Sequence, residues 1–263
     1  MTARTVAMRS ARSSYAVRSV RRNAKQLLMY ALAAACATAA LVGLYQHVME
    51  SGRYRVKTIR IDGARLLSSE QIVQAAGVTN ADHILFLNTA RIAERVRCLP
   101  YVKDCTVRRT FPDMVTIAIA ERTPVATIII HNHPFEIDAE MKVLRELDLN
   151  EPHIGPLISQ IPELGDVGTG AQLQQASLRT ALDVWSAFSQ TDMASEVTVS
   201  EIAAPGPNSI RMYCDELPFE IRWGREDVPS QAKRLDILWR QKGKSLACSE
   251  YLDLRFGRDI ACK

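Results

Sequence analysis

The sequence predicts an α+β protein carried on a single N-terminal transmembrane helix, with a β-α-α-β-β module followed by a mixed/antiparallel β domain with flanking helices. Three observations predict it. Behind a basic leader, the stretch from Gln26 to Gln46 runs 21 residues without a charge. A strand-helix-helix-strand-strand succession follows between Tyr54 and Ala120. The remainder alternates short β-rich runs with two amphipathic helical stripes.

The leader carries Arg4, Arg9, Arg12, Arg18, Arg21, Arg22 and Lys25, and the first acidic residue is Glu50. The whole chain has a formal net charge of +4, so without those seven cations it stands at about −3. The basicity therefore belongs to a tail and describes no nucleic-acid surface. About 20 helical residues cross a ~30 Å hydrocarbon core, and in lipid a backbone must satisfy itself as a helix. The Ala-rich stretch is long enough, with Tyr30 and Tyr45 near its ends where aromatic rings favour the interface. Residues 1–25 are expected to form a cytoplasmic basic tail and 26–49 the span, which places the rest outside the cytoplasm. A cleaved secretory signal would have a shorter leader, and an Arg- and Ser-rich transit peptide would be amphipathic and removed.

Five cysteines lie outside the span, so they cannot all pair within one chain. Cys98 and Cys105 flank a short connection and are the pair expected to bridge; small buried thiols are the alternative reading. There is no C-x-x-C and no zinc-type spacing.

Tyr54 to Ile61 reads as a strand by alternation, closed by a turn at Asp62-Gly63. Ser68 followed by Gln71 is a capping-box pattern for a helix over Ser69 to Ala76, with Gly77 as its stop. A second helix, from about Asn88 to Arg97, carries Ile92, Ala93 and Val96 on one side and ends before Leu99-Pro100. Cys105 to Arg109 and Val115 to Ala120 read as strands joined by a turn at Phe111-Pro112-Asp113, with Tyr101 and Phe111 in the module's core. Beyond it, Val125 to Ile130 is a strongly β-branched run. A helix from about Ala171 to Gln190 has a core stripe of Leu178, Leu182, Trp185 and Phe188. Strands over Ser209 to Cys214 and Phe219 to Trp223 precede a helix over Val228 to Gln241 with Leu235, Leu238 and Trp239 on one side. In the last strand, alternation sends Leu252, Leu254 and Phe256 to one face and Tyr251, Asp253 and Arg255 to the other.

Four separated motifs, IRIDG at Ile59 to Gly63, LPYVK at Leu99 to Lys103, VRRTFPD at Val107 to Asp113 and IAIAERTPVA at Ile117 to Ala126, closely resemble the POTRA module of the FtsQ/DivIB bacterial cell-division family. Phe135 to Asp138 with Val143-Leu144 resembles that family's next hairpin, Pro156 to Ile158 and Gly165 to Gly170 its loop before a helix, and EYLDLRFG at Glu250 to Gly257 its final strand. The chain departs from the pattern at Asp82-His83-Ile84, where the family carries glycine and asparagine, and in the hairpin turn at Glu140-Met141, where a glycine is usual. The resemblance implies a POTRA domain over residues 53–122 and an FtsQ-type β domain over 123–263. It implies a non-catalytic divisome scaffold that binds FtsB-like and FtsL-like single-pass division proteins and other divisome components at the inner membrane of the division septum. Carried over residue by residue, it implies partner contacts at Tyr251, Asp253, Arg255 and Phe256, and a second surface at Val107 and Arg109. For Phe256 the competing reading is core packing, and for Arg109 a solvated strand charge. A POTRA-bearing component of a protein translocation or envelope assembly complex is the alternative function. Such proteins usually append a β-barrel, and the second half lacks the long series of alternating strands that a barrel needs.

No nucleophile elbow, phosphate loop, dinucleotide fingerprint or H-E-x-x-H is present. Gly168 and Gly170 lack a phosphate-binding context, and His131-Asn132-His133 reads as a solvated turn ahead of Pro134. Enzymatic activity, cofactor, metal, nucleic acid and small-molecule substrate are not expected. What the pattern offers a partner is a sheet edge, whose free N–H and C=O groups can recruit another strand.

Overall fold

The computed structural model describes residues 3–50, 52–165, 167–243, 245–257 and 259–263, with side chains from Lys25 onward except at Glu50. The side chains of the basic leader therefore lie, Lys25 apart, outside the described residues. Helix α1 runs Ala3–Glu50, and its segment Lys25–Met49 is long and apolar enough to cross a membrane. Its Leu27, Leu28, Tyr30, Leu41 and Leu44 are all more than half exposed. A contiguous apolar surface of this kind is the mark of a membrane or protein contact.

The chain divides into two compact units: Met1–Ile59, Thr79–Leu87 and Arg109–Val115 form the first, and Arg60–Val78, Asn88–Arg108 and Thr116–Lys263 the second. In the first, α1 leads through one 3-10 turn at Gly52–Tyr54 into a short antiparallel bridge between Arg55 and His83. Val56 N–H donates to Asp82 O at 3.0 Å and Ile84 N–H to Tyr54 O at 2.8 Å. These bonds occupy the backbone that alternation had assigned to the first strand, so β1 begins late and spans Thr58–Asp62. Lys57 is held to Asp113 through both its N–H, at 2.8 Å, and its ammonium, at 3.0 Å. Phe111 heads the turn after the second strand and is 57% exposed, so it does not fill the core as expected.

After β1 the chain forms α2 (Ser69–Ala76), α3 (Thr89–Arg97), β2 (Val102–Thr110) and β3 (Met114–Glu121), completing the β-α-α-β-β order in a sheet arranged β1-β3-β2. The capping box forms as read: Ser68 Oγ accepts from Gln71 N–H and the Gln71 side chain accepts from Ser68 N–H. Gly77 ends α2 at φ 58°. Gly63 has φ 90°, and a Cβ there would stand 2.1 Å from Ile119 O, so the β1–α2 turn admits no side chain. Glu121 then closes that turn by accepting the N–H groups of Arg65, Leu66 and Leu67 at 3.0, 2.8 and 3.0 Å. Ile72 and Ala76 of α2, Ile92, Ala93 and Val96 of α3, and Val102, Cys105, Ile117 and Ile119 of the strands are among the buried residues of this module.

The second sheet has nine strands: β4 (Pro124–Ile130), β5 (His133–Asp138), β6 (Val143–Glu146), β7 (Leu157–Ser159), β8 (Val199–Ala203), β9 (Ile210–Cys214), β10 (Glu220–Trp223), β11 (Tyr251–Asp253) and β12 (Ala261–Cys262). Its order is β12-β11-β10-β9-β8-β7-β4-β5-β6. One row of partners crosses seven strands: Ile128, Ile158, Ile202, Met212, Ile221, Leu252 and Cys262. The first six are fully buried, against α4 (Ala176–Phe188) and α5 (Val228–Gln241). Phe188 of α4 meets Trp223 of β10 edge-on at 6.4 Å. The other face is only half-buried, as the alternating burial along β9 and β10 shows.

Two expectations change here. Leu157-Ile158, read as loop, forms β7, a central strand parallel to both β4 and β8. Three residues carry too little pattern to announce a strand, and only its two neighbours define it. Helix α4 starts at Ala176, five residues later than expected, because the preceding backbone pairs with β6: Val143 N–H donates to Ala171 O at 2.9 Å and Leu173 N–H to Met141 O at 3.0 Å. His131 and Asn132 do form the tight turn between β4 and β5, with φ 49° and 69°. In the β5–β6 turn, where glycine was expected at Glu140 or Met141, Met141 has a positive φ of 63°.

A polar network ties the end of β3 and the start of β2 to the β5–β6 hairpin. Tyr101 is half-buried, and its hydroxyl donates to Glu136 at 2.5 Å rather than pointing into the module's core. Burial first, and the Glu136 carboxylate second, push that phenol above its ordinary pKa. Glu136 is 1% exposed and also accepts from Arg145, which reaches on to Glu151 at 2.7 Å. Beside it, Arg122 bonds Asp138 at 2.5 Å and Glu140 at 2.8 Å, and Lys103 reaches Glu140 at 2.7 Å. Lys103 and then Arg122 hold the Glu140 carboxyl down to about 2.

Candidate interaction edge

The nine-stranded sheet has two margins, and they are finished differently. At β6, residues 170–173 bond the start of the strand: Gly170 N–H donates to Val143 O at 2.8 Å and Val143 N–H to Ala171 O at 2.9 Å. At the other end, β11 pairs parallel with β10 and antiparallel with β12. The edge that the final motif was expected to present on β11 is thus covered by the chain itself, and β12 is the outermost strand. Tyr251 N–H and Lys263 O pair at 3.3 Å, and Lys263 N–H and Tyr251 O at 3.0 Å. In an antiparallel ladder bonded residues alternate, so the N–H and C=O groups of Ile260 and Cys262 face outward.

A covalent bond secures this margin. Cys248 and Cys262 form a disulfide with Cα atoms 5.5 Å apart, closing 14 residues of sequence. Loop closure of that length is worth about 3 kcal/mol on a chain-entropy basis. The expected Cys98–Cys105 bond is absent: Cys98 is exposed at the end of α3 with its thiol donating to Glu94 O, whereas Cys105 is buried on the core side of β2. Cys214 is also buried, which pushes its thiol up to about 12.

The four residues expected to meet a partner near the last strand gather at this margin, in different environments. Tyr251 is half-buried, with the Arg222 guanidinium 4.0 Å from its ring centre. Asp253 is 2% exposed and holds Arg255 through its backbone N–H at 3.0 Å and its side chain at 2.5–3.2 Å. Alternation had put Asp253 on the free face; the strand ends there, and the carboxylate turns in. Burial opposes its ionisation, but the Arg255 bonds prevail and hold its pKa below the ordinary value. Leu254 is buried and anchored at both backbone groups, by Arg222 O at 3.0 Å and by Arg234 at 2.8 Å. Phe256 is 58% exposed, which excludes the core reading. Behind this group Arg222 bonds Glu220 at 2.6 Å, and Tyr213 donates to Glu220 at 2.9 Å.

Because the folded pKa of Asp253 is depressed, its contribution to stability is present above the unfolded value of about 3.9 and is lost as pH falls through the folded one. Urea midpoints are therefore expected to fall between pH 5 and pH 3, and to fall less in Asp253→Asn; an identical fall in the variant would remove this residue from the acid response.

Val107 and Arg109 both lie on β2, one of the two edge strands of the three-stranded sheet. Val107 is half-buried, and Arg109 is exposed and donates to Leu85 O at 3.0 Å. No group of three or more His, Cys, Asp or Glu side chains able to hold a metal occurs among the described residues. His133 Nδ1 stands 2.7 Å from Glu146. Sequence reasoning missed Ile260, Ala261, Cys262 and Cys248, whose only signals are a three-residue apolar run and two cysteines 14 apart.

Residues 54–122 match the family profile described as POTRA domain, FtsQ-type, and residues 128–255 the one described as Cell division protein FtsQ/DivIB, C-terminal. The second match stops at Arg255, short of β12. A protein of Syntrophotalea carbinolica named Cell division protein FtsQ is 26% identical over 223 residues, covering 83% of this chain and 77% of its own. One of Geotalea daltonii with the same name is 24% identical over 84% of this chain and 80% of its own. One of Caulobacter vibrioides, also so named, is 33% identical over 42% of this chain and 36% of its own.

Proposed function

Since the chain belongs to the FtsQ/DivIB family, a family of non-catalytic cell division proteins, we propose that it is a divisome scaffold that captures small single-pass division proteins of the FtsB and FtsL type and thereby helps assemble and regulate septal peptidoglycan synthesis. Residues 1–25 form its cytoplasmic tail and 26–49 its span in the inner membrane. Residues 53–122 form the POTRA domain and 123–263 the β domain, both in the periplasm at the septum. The observation that carries this reading is the C-terminal margin of the nine-stranded sheet: among the described residues β12 pairs on one side only, whereas at the other margin residues 170–173 bond the start of β6 at Val143. Main-chain pairing along the outer side of β12 supplies the affinity, and Phe256, Tyr251 and Arg255 beside it supply the selectivity.

Ile260→Pro removes an outward N–H while leaving the β11 ladder its own bonds, which is the position where a strand tolerates proline. The full-length variant is expected to lose co-purification of the same organism's FtsB-like protein at least tenfold, with the Cys248–Cys262 bond and the far-ultraviolet circular dichroism unchanged. Undiminished co-purification would refute the edge.

A further inference from the structure

We propose that the Cys248–Cys262 disulfide is a redox latch on the docking edge: oxidised, it holds β12 in place as the strand that accepts a partner; reduced, it lets β12 come away and capture weakens. This rests on the reading of β12 as the docking edge and adds its regulation.

Four observations carry it. First, β12 is two residues long and is joined to β11 through exposed residues, Arg255 to Gly257 and Asp259 among them. Ile260 and Ala261 are only half-buried and Cys262 and Lys263 are exposed. A segment with so little burial belongs to the part of a structure that opens locally, unless something ties it. Second, the tie is covalent and lies at the strand itself: Cys262 is one of the two β12 residues, paired with Leu252, and Cys248 stands at the base of β11. The N–H groups of Ser249, Glu250 and Tyr251 then meet Lys263 O at 2.7, 2.6 and 3.3 Å, so bond and ladder hold one another in register.

Third, the bond is reachable from one side. Cys248 is 8% exposed, and Cys262 is exposed. An incoming thiolate attacks Cys262 Sγ, forming a mixed disulfide and releasing the Cys248 thiolate, which takes up a proton; the second thiol of a dithiol donor then displaces Cys262 as a thiol and closes its own disulfide. Two electrons pass from the dithiol to the cystine, and the atoms balance. The reductant is a dithiol of the thioredoxin class. Fourth, the remaining cysteines are placed so as not to interfere: Cys105 and Cys214 are buried with thiols pushed up by that burial, and Cys36 lies in the apolar span. Cys98 alone is exposed outside it.

When the competent arrangement is populated only in part, apparent affinity drops by that fraction. The test measures the apparent Kd of the full-length protein in nanodiscs for the same organism's full-length FtsB-like protein, in a Cys98→Ser background, with and without dithiothreitol. Three further chains are run beside it: C248A/C262A, I260P, and C248A/C262A/I260P. Hydrogen exchange at Ser249, Glu250 and Tyr251 reports whether β12 is seated. The expected result is at least tenfold weaker binding and faster exchange on reduction, reproduced by C248A/C262A, which then no longer responds to dithiothreitol. Capture lost in I260P but equal in C248A/C262A and the parent overturns the latch while the docking edge stands. Capture retained in I260P overturns the docking edge, and the latch with it. Tighter capture after reduction also overturns the proposal, since it would make β12 a cover that a partner displaces.

Discussion

Trp223→Ala is expected to lower the unfolding free energy of the β domain by about 3–5 kcal/mol, the range for removing a large buried aromatic side chain, and to shift the urea midpoint accordingly. Trp223 is fully buried on β10, edge-on to Phe188 of α4, at the centre of the core shared by the sheet and its helices. Its loss leaves a cavity beside Phe188, in the core that also contains Leu178 and Leu182 of α4. Trp223→Phe separates volume from polarity. Among the described residues the buried indole N–H has no hydrogen-bond partner, so the phenyl ring opens a smaller cavity and also removes an unsatisfied donor. Its loss should be well below that of the alanine variant; equal losses would mean that the packing around the ring has been misjudged.

Arg122→Ala is the second large effect, about 3–5 kcal/mol, because it strands Asp138 as a buried carboxylate. The Asp138 side chain is 7% exposed and the Arg122 side chain 14%, with their atoms 2.5 Å apart. The cost arises from the uncompensated charge and not from the pair's intrinsic strength, so R122A/D138N should recover most of it. Asparagine keeps an oxygen for the N–H groups of Glu140 and Lys142, at 2.9 and 2.8 Å, that Asp138 now accepts. A double variant no more stable than Arg122→Ala would show that the guanidinium acts through packing instead. Chemical denaturation at pH 7 of the three chains decides it.

Both variants probe features that chain-local reading reaches unequally. Trp223 stood in a recognisable strand, but nothing in the alternation of Phe219 to Trp223 names Phe188 as its neighbour. Arg122 was legible only as part of a motif, and its partner Asp138 only as part of a hairpin. The Tyr101 ring, expected in the module's core, instead serves the same junction through its hydroxyl. A phenol next to a buried carboxylate is decided by what the fold brings there.

The FtsQ/DivIB motifs, the apolar span, the capping box at Ser68, the stop at Gly77 and the helix over Val228–Gln241 could all be read from the chain alone. Each depends on interactions within a few residues or, for the span, on length and composition, and such signals are complete in a short window. The β7 strand, the late start of α4, the inward turn of Asp253, the exposure of Phe256 and the Cys248–Cys262 bond were decided by tertiary structure. In a sheet each strand is defined by its neighbours, and those neighbours come from distant parts of the sequence: β7 exists because β4 and β8 flank it. The edge is the extreme case, for a strand of two residues has no pattern of its own, and only the fold shows that it, and not β11, is the outermost.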